Sequence, residues 1–387
     1  MTRGAFFKTL SCLALTCLIA GLAGCAKKEE AGSTVAGADK GTSQSATRTI
    51  VDHTGVEVVL PAEINRVVIL GPMPLPSIYC LYTGSSEQLV GITSTSMSAA
   101  QNSLLIKAYP ELTAIPTDFE INGVVNIERL LELEPDVVFY AASSTQTRQA
   151  LDNAGIPAVG FSFTQAGFNT IENYAGWIKL LEQIFSGGNE AGSARAAEII
   201  QYGRDMESMV KERLAGLAQE DKPKALVAYY YDESSGLQVS GANHFGQYWL
   251  DTAGGVNVAA QLDGTPTVNM EQVYQWNPDA IFITNFSPYL PEDFYNNVIS
   301  SDDWSPVAAV EAGRGYKFPL GMYRWYPPSS DTPLSLLWMA KTLHPDLFAD
   351  IDLDQMIKDY FQRFYNVELT AEDLHKIYNP PREAAGR

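Results

Sequence analysis

The chain has 387 residues, with 45 Asp and Glu against 26 Lys and Arg, and a formal net charge of -19. It contains no basic run and no interleaving of basic and aromatic residues, so it offers nothing that would neutralise a phosphate backbone, and nucleic acid is excluded as a partner. The length favours two domains over one, and the acidity reads as a solvated surface.

The first residues have the layout of an export signal: Arg3 and Lys8 give a basic start, and an apolar run from Leu10 to Leu22 ends in small residues. The run is too short, and too closely followed by Lys27, Lys28, Glu29 and Glu30, for a spanning helix, which needs about 20 apolar residues. It closes on Leu22-Ala23-Gly24-Cys25, which resembles a bacterial lipoprotein signal. That resemblance implies loss of residues 1–24, lipidation of Cys25, and an extracytoplasmic protein anchored to the cell membrane. Two acyl chains hold a soluble domain on a bilayer without a spanning helix; the alternative is an ordinary cleaved signal with a cysteine at its boundary. Cys12 and Cys17 leave with the signal, so Cys80 is the one thiol left over, unable to form an internal disulfide and set in an apolar stretch that suits a core residue.

Residues 25–48 are rich in Ala, Gly, Ser, Thr and Lys and predict a flexible tether. Two alternating apolar runs around Thr54-Gly55 predict a hairpin over 49–60. From there short β-branched runs alternate with longer helical ones, the mark of an α/β fold. Strands are expected at 66–70, 89–92, 136–140 and 158–161, and a second series at 224–230, 236–239, 279–283 and 315–318. Between the series, helical spacing of apolar residues over 169–185 and a helix from 190 to about 217 predict a connector. The layout is therefore two Rossmann-like α/β lobes, 49–167 and 223–387, joined through a helical region, 168–222, that acts as a single long helical link with the ligand cleft between the lobes.

The most informative feature is an internal repeat. Val125–Phe139 recurs 143 positions later as Val268–Phe282, with six positions identical and the apolar phase kept. In each copy Asn suits a helix N-cap, Glu sits in the first turn where the helix dipole favours it, and Pro-Asp closes the helix before a buried strand. The lobes read as copies of one unit. Glu128 and Glu271 then stand as equivalent exposed carboxylates, a pair suited to a two-fold symmetric partner; the plainer reading is that each complements a helix dipole.

With these features in place the chain resembles the substrate-binding proteins of ABC importers for iron complexes, haem and cobalamin, the class with a rigid helical connector. The resemblance runs from about Val51 to Tyr378. It rests on Asp52-His53-Thr54-Gly55 followed by Arg66-Val67-Val68-Ile69, the two Asn-x-Glu helices, Ala253–Val258, and the stretch from Trp325 through Pro327-Pro328-Ser329 to Trp338–Lys341, His344-Pro345 and Ile351-Asp352. It implies capture of a small metal complex, most simply a ferric siderophore, and delivery to an ABC permease and its ATPase, with Glu128 and Glu271 docking on the permease. Haem, cobalamin, a nickel or cobalt chelate and a molybdate-type oxyanion are the other ligands it allows. No cofactor is expected to stay bound, a monomer is the expected state, and a connector of this kind predicts little lobe movement.

The ligand is expected where loops leave the C-terminal ends of the strands. In the first lobe these loops offer Met73, Phe119 and Tyr140, with Phe119 heading a loop that runs to Asn122. In the second they offer Tyr230, Tyr231, the Ser240–His244 loop, Asn285-Phe286 and Met322–Tyr326. Tyr323, Arg324 and Trp325 stand out, because aromatic faces stack on bulky ligands and a guanidinium grips an oxyanion or carboxylate with two donors. Tyr230, Tyr231, Met73, Phe119 and Tyr140 would serve equally as packing. The four histidines, His53, His244, His344 and His375, lack ligand spacing, so no metal cage is expected. With no catalytic motif such as G-x-S-x-G or H-E-x-x-H, an enzyme is the lesser reading.

Overall fold

A computed structural model describes residues 47–121, 123–299 and 302–386; the export signal, Cys25, residues 25–46 of the tether and Asn122 lie outside the described residues. The fold begins with a hairpin of β1 (Thr47–Val51) and β2 (Glu57–Pro61), paired with Ile50 opposite Val58. Asp52 explains the Asp-His-Thr-Gly motif. Its buried carboxylate accepts from the backbone N–H of Thr54 and of Gly160, both at 2.8 Å, so it closes the turn and ties it to the first lobe.

The first lobe contains β3 (Val67–Ile69), β4 (Leu89–Ile92), β5 (Glu120–Ile121), β6 (Val124–Val125), β7 (Val137–Ala141) and β8 (Ala158–Phe161). The order β4-β3-β7-β8 makes an all-parallel sheet, and β5 and β6 form a small hairpin beside it. The second lobe contains β9 (Lys224–Asp232), β10 (Gly236–Val239), β11 (Val256–Asn257), β12 (Thr267–Val268), β13 (Ala280–Ile283) and β14 (Gly315–Lys317), ordered β12-β10-β9-β13-β14 with β11 beside β9. Burial on both faces accounts for the unbroken apolar runs of β3, β8 and β13.

The internal repeat is a structural one. Helices Ile127–Leu131 and Met270–Trp276 are each capped by the repeated Asn, Asn126 and Asn269, whose side chains accept from the N–H three residues on. Glu134 and Asn277, equivalent in the repeat, both end the helical stretch with positive φ, 44° and 43°. The Pro-Asp that follows performs the same task twice. Asp136 Oδ2 accepts from the N–H of Arg66 at 2.9 Å, and Asp279 Oδ2 from that of Lys224 at 2.8 Å, each carboxylate setting the start of the neighbouring central strand.

Helices Thr170–Phe185 and Glu190–Leu214 join the lobes, with Asn169 and Asn189 as N-caps. The expected link is thus a packed helix pair, whose second member has 25 residues and a length of about 38 Å. Arg195 on that helix binds both lobes: its guanidinium donates to the carbonyls of Leu81 (2.7 Å), Tyr82 (2.8 Å) and Phe364 (2.9 Å). One apolar core runs from Ile50 through both connector helices to Ile377, and a smaller cluster covers one face of each sheet. A core shared in this way makes the lobes one body.

Candidate functional site in the cleft between the lobes

A cavity of about 290 Å³ is lined by Met73, Pro74 and Phe163 of the first lobe and by Tyr229, His244, Phe245, Phe286, Tyr323, Tyr326 and Pro327 of the second. All but Tyr229 come from loops or helix starts beyond the C-terminal ends of strands, where parallel sheets place ligands. The lining is aromatic and carries neither a carboxylate nor an ammonium or guanidinium group. Among the described residues no three His, Cys, Asp or Glu side chains assemble as a metal cage.

Its polar chemistry comes from three side chains. Tyr326 donates to Ser240 Oγ at 2.9 Å, Ser240 Oγ lies 2.8 Å from His244 Nδ1, and the N–H of Gly246 reaches both hydroxyls at 3.1 Å. His244 Nδ1 also lies 2.7 Å from the Tyr326 hydroxyl, so the ring is anchored through Nδ1 to both hydroxyls, and its tautomer sets which partner donates. His244 thus lines the cavity with its Nδ1 edge engaged in this cluster. Burial lowers its pKa to about 4, which keeps the ring neutral at physiological pH. Tyr323 is 2 % exposed and its hydroxyl is buried with no protein partner. The backbone beneath it is fixed: Tyr323 N–H donates to Asp331 Oδ2 at 2.9 Å, and the carbonyl of Gly321 accepts from Leu104 N–H of the first lobe at 2.9 Å.

The residues expected from the sequence divide sharply. Met73 and Tyr323 meet at the cavity from opposite lobes. Arg324 lies behind the lining, its guanidinium 5.4 Å from the Phe286 ring centroid and 5.9 Å from that of Tyr323. Trp325 is fully buried away from the cavity, edge-on to Trp338 at 6.3 Å. Phe119 is fully buried in the satellite core of the first lobe, where glycine at 91 leaves room for its ring. Tyr140 belongs to that cluster too, and also borders a separate polar pocket of about 480 Å³ with Thr93 and Ser144.

Tyr230 and Tyr231 differ from expectation for a local reason. Val239 pairs with Ala228 but Gln238 with Tyr230, so Tyr229 is an extra residue in β9. A bulge of this kind inverts which face the following residues occupy. Tyr229 keeps the face of Ala225 and Val227 and lines the cavity, whereas beyond it Tyr230 hydrogen-bonds to the Asp232 carboxylate and Tyr231 is turned into the satellite core against Trp304, with its hydroxyl on Asp302. Sequence reasoning also passed over Phe163 and Phe245 of the lining; for Phe245 the adjoining Ser240–His244 loop was the available signal. Glu128 and Glu271 are exposed, each in the first turn of its repeat helix.

The model of the periplasmic binding protein family matches residues 67–319. The molybdate-binding protein MolA of Haemophilus influenzae is 27% identical over 337 residues, 84% of this chain and 92% of that protein. A periplasmic solute binding protein from Veillonella parvula superposes with a TM-score of 0.77 at 31% identity, covering 86% of this chain and 97% of the other. The nickel-histidine complex of CeuE from Helicobacter pylori superposes with a TM-score of 0.65 at 20% identity over 86% of this chain and all of that one, a likeness of fold.

Proposed function

Since the chain belongs to the periplasmic binding protein family and is the substrate-binding protein of an ABC importer, we propose that its cargo is a compact anionic metal compound. A molybdate-type oxyanion, or a small metal chelate that presents oxygen acceptors, would be held between the lobes and handed on unchanged. The observation that carries this reading is the Tyr323 hydroxyl, buried with no protein partner, on a residue of an aromatic cavity that His244 also lines. That hydroxyl is suited to an acceptor-rich ligand, and the Arg324 charge behind the lining favours a negative one. Similarity to a molybdate-binding protein supports the same class. A cavity of about 290 Å³ lies at the small end of ligand sites, roughly 300–1,000 Å³. It suits an oxyanion or a compact iron chelate better than a large ferric siderophore, haem or cobalamin.

Cys25 would carry the lipid anchor, a reading that a Cys25→Ser chain found only in membranes would overturn. Glu128 and Glu271 would dock on the permease. Titration calorimetry and intrinsic fluorescence of the fragment from Ser33 onward, against molybdate, tungstate, ferric siderophores, nickel-histidine, haem and cobalamin, test the cargo. Saturable binding of molybdate or a small chelate is expected. Tight binding of haem or cobalamin alone would refute the compact-anion reading, and turnover of any bound compound would refute simple delivery.

A further inference from the structure

Arg324 is 3 % exposed, yet among the described residues no carboxylate pairs with it. Its Nη1 donates to the carbonyl of Gly386 at 2.6 Å and its Nη2 to that of Ala384 at 2.9 Å, while Nε is buried without a partner. A buried guanidinium normally requires a counter-ion, because carbonyl dipoles only partly replace lost hydration. The surroundings add to the need. The ammonium of Lys317 is buried nearby in a cage of three carbonyls, and Arg382 is a third cation of the group, with Asp293 as the acid it pairs with. In a chain of net charge -19 this is a local positive centre, placed directly behind Phe286 and Tyr323 of the cavity lining.

Both acceptors on Arg324 come from one short segment, Arg382–Gly386. That segment is held by a two-pronged ion pair, Arg382 Nη1 and Nη2 on Asp293 Oδ2 and Oδ1, each at 2.6 Å. We propose that residues 382–386 are a displaceable cap on Arg324, whose carbonyls occupy the donors that an oxyanion ligand would take. Segment and anion then compete for one guanidinium, and the strength of the Arg382–Asp293 clasp sets how strongly charged a ligand must be to win. This rests on the anion reading of the cavity, and it adds that the cation serving that anion is kept in reserve.

The test reads Arg324 itself as well as ligand affinity. The full folded part of the chain is treated with phenylglyoxal, and modification of Arg324 is followed by peptide mass spectrometry in the parent, in Arg382→Gln and in Asp293→Asn. Both substitutions open the clasp without touching the cavity, and thermal melts confirm that each variant is folded. Loosening two hydrogen bonds to a charged group should speed modification of Arg324 and tighten molybdate binding, each by about tenfold or more. Molybdate should protect the freed Arg324 from modification. Equal labelling of parent and both variants would overturn the cap, and so would a freed Arg324 that molybdate does not protect. A parent chain that prefers an uncharged ligand would instead sink the cargo reading, whatever the labelling rates.

Discussion

Replacing Tyr323 by Phe should move stability and affinity in opposite directions. The ring stays, and only a hydroxyl that is buried without a protein partner is lost. Leaving such a group unpaired costs the empty protein about 1–3 kcal/mol, so removing it should stabilise the ligand-free chain by about 1 kcal/mol, or about 1–2 °C in Tm for a chain of this length. With ligand bound, the same hydroxyl donates to a negatively charged oxygen. Losing a hydrogen bond of that kind costs about 1.5–3 kcal/mol, a weakening of about 10- to 150-fold in Kd. The assay pairs differential scanning calorimetry of the ligand-free protein with titration calorimetry of whichever ligand binds. A variant with lowered Tm and unchanged Kd would refute the reasoning, since it would show that the hydroxyl is satisfied within the protein and never meets ligand.

Three further outcomes follow from the same geometry. His244 titrates near pH 4; if it donates through Nε2, affinity for an oxyanion should hold steady from pH 8 to pH 5 and rise below that, whereas direct metal ligation would make affinity collapse as the ring protonates. Asp331 is fully buried, with its pKa raised to about 7 by desolvation and one carboxylate oxygen unpaired. A raised carboxyl pKa favours the folded state below the unfolded value, about 4, and that stability is lost as pH rises through 7, up to about 4 kcal/mol. Asp331→Asn should therefore gain on the parent at pH 8 and lose that gain by pH 4, and a Tm difference independent of pH would contradict this. The double variant Glu128→Ala with Glu271→Ala should abolish uptake in cells and leave affinity intact; weakened binding would place those carboxylates in the cleft instead.

Much of the fold could be read from the sequence because its signals are local. An Asn cap, a first-turn acid and a Pro-Asp stop each act within a few residues, so the repeat from Val125 and from Val268 exposed the two-lobe plan, and the structure adds matching φ angles at Glu134 and Asn277. The site was less legible where position depends on distant chain. Period-two alternation in β9 cannot reveal a bulge created by pairing with β10, and that one extra residue turns Tyr231 to the other face and leaves Tyr229 at the cavity. Phe119 is drawn inward by the space beside Gly91, a contact across 28 positions of sequence.

Arg324 shows the same limit most clearly, and it changes how the cleft should work. A cation expected to face the ligand is instead bonded to carbonyls 60 and 62 residues further along. With the charge withdrawn, the lining is aromatic and grips an anion less tightly than a guanidinium facing it would. Importers need that restraint, because a binding protein that never lets go delivers nothing. The shared core and the Arg195 bridge argue against wide opening of the lobes, so affinity has to be tuned inside the cleft. A guanidinium that moves between an internal cap and the cargo supplies such tuning without moving either lobe.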